Sequence, residues 1–116
     1  MMQNGGHIIN IASTSGTKGT GQQATYGATK AALINLTQST AEEFAPRGIR
    51  VNAISPGPTD TAALHDYFDE SMKELLIKRL PMRRLCEPTD IANAALAILM
   101  NNYMTGMNIM LDGGRL

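Results

Sequence analysis

The chain has 116 residues with ten basic and ten acidic side chains, for a formal net charge of +0, which lacks the basic excess of a nucleic-acid binder. Its 43% apolar content is enough to build a core, while the longest apolar runs, such as Ala94–Met100, fall well short of the roughly 20 residues of a membrane span. No export signal is visible, and the single cysteine, Cys86, excludes an internal disulfide and any multi-cysteine zinc site.

These features predict one cytoplasmic domain over residues 1–116, with no metal, membrane or nucleic-acid partner.

In chain order, His7–Ala12 is a mostly apolar, β-branched run after Gly5-Gly6, predicting a strand covered on both faces. Ser13–Gln23 holds three glycines and three threonines and reads as a loop. Good helix formers then run from about Thr25 to Ala45, and Pro46-Arg47-Gly48 stops them. Ile49–Ile54 is a second strand, ended by Ser55-Pro56-Gly57-Pro58. From about Thr61 to Leu80, apolar residues spaced by three and four predict one helix or a pair. Glu87-Pro88-Thr89-Asp90 resembles a helix start, and that helix runs to about Met100. Met107–Leu111 is the last strand, closed at Asp112-Gly113-Gly114. The order strand, helix, strand, helices, strand implies an α/β sandwich with mostly parallel strands.

Tyr26 and Lys30 stand four residues apart on one helix face, a spacing common enough to mean nothing alone. Ser13, however, lies at a strand end, where α/β sheets put ligand contacts, thirteen residues before Tyr26. Pro56-Gly57-Pro58-Thr59-Asp60-Thr61 follows the second strand in the same way. Its glycine permits close backbone approach and its threonines offer hydroxyls.

Ile8–Ser13, Tyr26-x-x-x-Lys30 and Arg50–Gly57, with Arg84–Ala92 and Thr105–Gly114, together resemble the short-chain dehydrogenase/reductase family from Gly6 to Gly114. The resemblance implies a Rossmann-like, doubly wound α/β sheet, of which this chain supplies the last three strands, mutually adjacent, with flanking helices. It implies NAD- or NADP-dependent interconversion of a small-molecule ketone and alcohol. The three-residue gap between Tyr26 and Lys30 favours this chemistry over that of enoyl-reducing relatives, whose gap is wider.

In that family pattern Tyr26 is the general acid or base. A free phenol titrates at about 10, and Lys30 with the positive nicotinamide ring would lower that value. Ser13 polarises the carbonyl where charge develops. Lys30 also holds the nicotinamide ribose, and Pro56, Gly57, Thr59 and Thr61 line the nicotinamide. The hydride belongs to the cofactor. The helix bearing Tyr26 is expected to form a homo-oligomer.

A dinucleotide site also needs a Gly-x-x-x-Gly-x-Gly turn at a helix N-terminus. The only glycine cluster after a strand, Gly16–Gly21, has other spacing and reads as a substrate-side loop. The nucleotide-binding N-terminal half of the family fold is therefore expected to be absent from this partial domain, leaving its first strand with an unpaired edge and the chain weak or inactive alone. Two other expectations stay open: a truncated, non-catalytic homologue associating with full-length subunits, and an incomplete reading frame. Asn10 and Asn52 lie within strands and are not assigned to a proton relay. Leu64, Tyr67 and Phe68 either shape an apolar pocket or pack in the core, and His65 falls on a polar helix face. Met72, Met82, Met100, Met104, Met107 and Met110 are expected in core or lid packing, and Cys86 is expected to be inert.

Overall fold

The computed structural model describes residues 5–114. Its elements are β1 (Gly6–Ile11), α1 (Ala24–Phe44), β2 (Ile49–Pro56), α2 (Ala62–Tyr67), α3 (Glu70–Arg79), α4 (Pro88–Met100) and β3 (Asn108–Leu111). The strands form one sheet in the order β1-β2-β3, and both pairings are parallel.

β2 is the centre because its residues can be buried on both faces. Val51, Asn52, Ala53, Ile54 and Ser55 are almost wholly buried. Alternation along the strand separates the faces. Ile49 and Val51 pack with Ala41 and Phe44 of α1 and with Ile8 of β1. Arg50 and Asn52 point the other way, toward the end of α4 and the turn that follows it.

Arg50 and Asn52 on that second face bond the end of α4 and the turn after it. The Arg50 guanidinium donates to the carbonyls of Ile98, Leu99, Asn101 and Met104 at 2.8–3.1 Å. A cation thus closes the C-terminal turn of α4, where unpaired carbonyls concentrate negative charge. Asn52 donates to Met104 O and accepts from Met107 N, both at 3.0 Å, so its side chain fixes the entry into β3.

β2 runs two residues further than the sequence pattern predicted. Ser55 and Pro56 pair with Met110 and Leu111, because proline at a strand's end loses little by lacking an N–H. The stretch 61–80 divides into two helices at Phe68-Asp69. Thr61 Oγ1 caps α2 by accepting from Leu64 N, and Asp69 Oδ1 caps α3 by accepting from Met72 N at 2.8 Å. α4 ends at Met100, as its apolar pattern predicts. Of the methionines expected in core or lid packing, Met72, Met82, Met100 and Met107 are 46–83% exposed, so the core alternative does not hold for these four. No helix among the described residues is long and apolar enough to cross a membrane.

Candidate active site

The carboxyl ends of β1 and β2 open into a cleft of about 370 Å3, within the usual range for small-molecule sites. Ser13, Tyr26, Lys30, Pro56, Gly57, Thr59 and Thr61 all line it, so every site residue predicted from the sequence faces one space. Ile11, Ala12, Leu64 and Ile91 complete the wall.

Ser13 reaches the cleft because the sheet extends past β1: Ala12 N donates to Ile54 O at 2.8 Å. The chain then turns through a short 3-10 segment, Thr14–Gly16, that lies against α1. Two glycines permit this approach. A Cβ on Gly16 would stand 2.8 Å from Lys30 C and 2.9 Å from Ala31 N, and one on Gly27 would stand 2.9 Å from Ser15 O. Turn and helix therefore touch backbone to backbone, beside Tyr26 and Lys30. Ser13 Oγ accepts from Ser15 N at 3.1 Å, which leaves its own proton to donate.

Tyr26 is about half exposed at the cleft, and the Lys30 ammonium lies 5.6 Å from its ring centroid, within cation–π reach. Lys30 Nζ donates to Ile11 O at 3.2 Å and keeps two further protons for another acceptor. The opposite wall is pinned by Cys86, whose backbone bonds Pro58 O and Asp60 N on either side of Thr59. Burial pushes the Cys86 thiol up, outweighing the Thr59 hydroxyl beside it, which accords with an inert cysteine.

Of Leu64, Tyr67 and Phe68, Leu64 alone lines the cleft. Tyr67 is 80% exposed and meets Phe68 edge to face, outside both core and cleft. Asn10 donates to Thr37 Oγ1 on α1, a strand-to-helix contact. No sequence motif assigns a role to Ile91, in the first turn of α4, or to the Cys86 backbone; both are brought in by chain reversals that no local spacing reveals. A second cavity of about 390 Å3 lies behind Gly57 and Pro58. It is the better enclosed of the two, but it contains none of Ser13, Tyr26 and Lys30, so the open cleft is the candidate site.

Comparison with known proteins gives a match to the family model described as enoyl-(acyl carrier protein) reductase over residues 1–115. The chain is 42% identical over 116 residues to the 3-oxoacyl-(acyl-carrier-protein) reductase FabG of Staphylococcus aureus, covering 98% of this chain and 47% of that protein. It is similar to the solved structure of a 7α-hydroxysteroid dehydrogenase complexed with NADH and 7-oxo glycochenodeoxycholic acid, with TM-score 0.92, 32% identity and coverage of 99% and 47%. It is also similar to ElxO with NADP bound, with TM-score 0.84, 37% identity and coverage of 94% and 46%. The chain spans about half the length of these proteins.

Proposed function

The chain belongs to the short-chain dehydrogenase/reductase family, and from that membership we propose that it carries the catalytic half of an NAD- or NADP-dependent enzyme interconverting a carbonyl and an alcohol. The carrying observation is the convergence of a phenol, an ammonium and a donor hydroxyl on one cleft. The family model's description speaks of enoyl reduction, whereas the two oxidoreductases named with it by their reactions act on an oxo or hydroxyl carbon. The three-residue gap between Tyr26 and Lys30 favours the second chemistry.

The donor set fits a nicotinamide riboside. Thr59 Oγ1 donates its proton to Gly57 O at 2.9 Å and is left to accept. Thr61 Oγ1 accepts from Leu64 N at 3.3 Å and is left to donate. That pair complements a carboxamide, which offers one donor group and one acceptor. The two spare protons of Lys30 suit vicinal ribose hydroxyls. Bound there, the cofactor supplies or receives the hydride.

The chain's own residues manage the proton and the developing charge. The Ser13 hydroxyl donates to the substrate oxygen, where negative charge gathers. Tyr26 delivers its proton to that oxygen during reduction and takes it back during oxidation. Lys30 steadies the charge left on the phenol oxygen. In a catalytically competent protein carrying these residues, Tyr26→Phe is expected to lower kcat by about 10²–10⁴-fold while sparing cofactor affinity. Unchanged turnover would remove Tyr26 as the acid.

The 116 residues contain no Gly-x-x-x-Gly-x-Gly turn. As one partial domain they are expected to bind NADH and NADPH weakly and to turn over slowly or not at all; tight binding in a fluorescence titration would contradict this. A second reading, a non-catalytic partner of full-length subunits, draws support from β1, an edge strand among the described residues, and from Leu36 of α1, which is 54% exposed. The same face of α1 suits a homo-oligomer. Sedimentation of the chain alone, and mixed with a full-length relative, separates self-association from the second reading.

A further inference from the structure

Residues 60–80, the lid, wall the cleft through Thr61 and Leu64 and carry a charge cluster that the chemistry above does not use. His65 of α2 is contacted on both ring nitrogens: Nε2 lies 2.5 Å from Asp60 Oδ1, and Nδ1 lies 2.8 Å from Lys73 Nζ on α3. Lys73 Nζ also donates to Glu70 Oε1 at 2.6 Å. The Lys73 side chain is only 12% exposed although it sits on a surface helix, so its ammonium is committed to these partners.

An ammonium has three donors and no acceptor. Nδ1 facing it must therefore present a lone pair, and the ring proton belongs on Nε2, pointing at the Asp60 carboxylate. This arrangement defines one tautomer of neutral histidine, held from both sides. A second proton has only Nδ1 to occupy, and there it would meet the lysine's own protons. The imidazolium would keep Asp60 and expel Lys73.

The location gives the contact a consequence. Asp60 and His65 bracket Thr61 and Leu64, the two lid residues that line the cleft. His65 N also bonds Thr61 O at 3.1 Å, so the ring and the first turn of α2 move together. We propose that neutral His65 is a latch that ties α2 to α3 and so positions Thr61 and Leu64 in the cleft wall, and that uptake of a proton by His65 releases Lys73 and loosens that wall.

The facing charges are Asp60 from the segment after β2, and Lys73 and Glu70 from α3, with Asp69 adding negative charge beside Glu70. Asp60 attracts a charged ring, whereas Lys73 repels it. Lys73 holds the Glu70 carboxyl below its ordinary value, so Glu70 stays ionised and retains the released ammonium. The latch goes beyond the catalytic reading and is independent of it, since it concerns only how the lid is held.

Long-range 15N–1H correlation spectra of the 116-residue chain test the tautomer directly. At pH 8 His65 is expected to show Nε2–H, and the backbone amides of Leu64 and Lys73 are expected to titrate with the midpoint of the His65 ring. Protection of α2 amides from exchange, corrected for intrinsic rates, should fall about threefold across that transition, the scale of an exposed ion pair. His65→Gln, which offers both a donor and an acceptor and does not titrate, should hold the pH 8 spectrum of the lid down to pH 5.5. Lys73→Met should leave the His65 ring titrating while the α3 amides no longer follow. An Nδ1–H tautomer at pH 8, a Lys73 amide indifferent to the ring, or a lid transition that survives His65→Gln would each overturn the latch. None of these measurements involves turnover, so the catalytic assignment stands or falls separately.

Discussion

The floor of the cleft rests on β2, where five consecutive residues, Val51 to Ser55, are each no more than 1% exposed. α2, which walls the same cleft through Leu64, and α3, joined to it by His65 and Lys73, contain no buried residue. Tyr67, Met72 and Leu75 of the lid stand in solvent at 80%, 46% and 56% exposure. The backbone that carries Ser13, Tyr26 and Lys30 is thus anchored on this buried strand, through Ala12 N on Ile54 O and the packing of α1 against β2. The lid depends on two side-chain caps and a set of charges that water can replace. A region with few buried contacts opens at low free energy, so one cleft combines a rigid floor with an adjustable wall.

The largest expected effect is therefore on the floor. Arg50→Met leaves four carbonyls at the end of α4 and the turn after it without their donor, and is expected to cost about 2–3 kcal/mol in urea denaturation. Arg50→Lys should recover only part of this, because an ammonium cannot spread planar donors over four acceptors. Full recovery by lysine would mean that charge alone closes the helix.

Gly16→Ala comes next. The added methyl would meet helix backbone at 2.8 Å, which no rotamer change relieves, so the turn must lift from α1 and carry Ser13 with it. A loss of about 1–3 kcal/mol is expected, with displaced Ser13 and Tyr26 amide resonances. Gly19→Ala and Gly21→Ala are controls. A Cβ at either position meets nothing within 4 Å, and a change beyond about 0.5 kcal/mol there would be unexpected. Such a contrast would establish that the cluster Gly16–Gly21 serves packing at one position only.

On the lid, Asp69→Ala removes the cap of α3 and is expected to cost about 1 kcal/mol. The comparison predicts where this loss falls: exchange should speed in α3 and leave β2 protection untouched. Accelerated exchange throughout β2 would mean that lid and floor unfold as one unit, and the division drawn above would fail.

How much could be read from the sequence follows the same division. β2 was legible because burial on both faces forces a continuous apolar run, and its end was misjudged only where Ser55 and Pro56 gained partners from β3. α1 was legible from its composition, and the gathering of Ser13, Tyr26, Lys30 and Thr59 followed from strand ends lying along one edge. The break at Phe68-Asp69 was not fixed by periodicity, which continues through it in the apolar residues; the cap at Asp69 is a single hydrogen bond. The choice between core and lid for the methionines was not legible, because hydropathy carries no information about which faces the rest of a fold will cover. Ile91 and the Cys86 backbone reach the site through long-range chain reversal, and the Arg50 staple joins residues about fifty positions apart. Local pattern does not encode such distances.

His7 provides the smallest of these effects and the finest test of the floor. Its Nε2 lies 3.1 Å from Asn52 Nδ2. The Asn52 amide cannot be turned round, because its oxygen already accepts from Met107 N. Nε2 is therefore the acceptor, the ring proton sits on Nδ1, and a second proton would face an N–H. Burial chiefly, and Arg50 in addition, draw the His7 pKa below 6.5. The unfolded chain consequently binds this proton more readily than the folded one. The stabilising effect of a neutral His7 is fully present above pH 6.5 and is lost as pH falls from there through the depressed folded value. Denaturation midpoints between pH 8 and 5.5 should thus decline in the parent chain, and less steeply in His7→Asn. His65→Gln, by contrast, should change the lid's response without altering the part of the slope that belongs to His7. If the two substitutions proved interchangeable in that series, the floor would be responding to protons through its lid, and the buried strand would not be the independent platform that its hydrogen bonds describe.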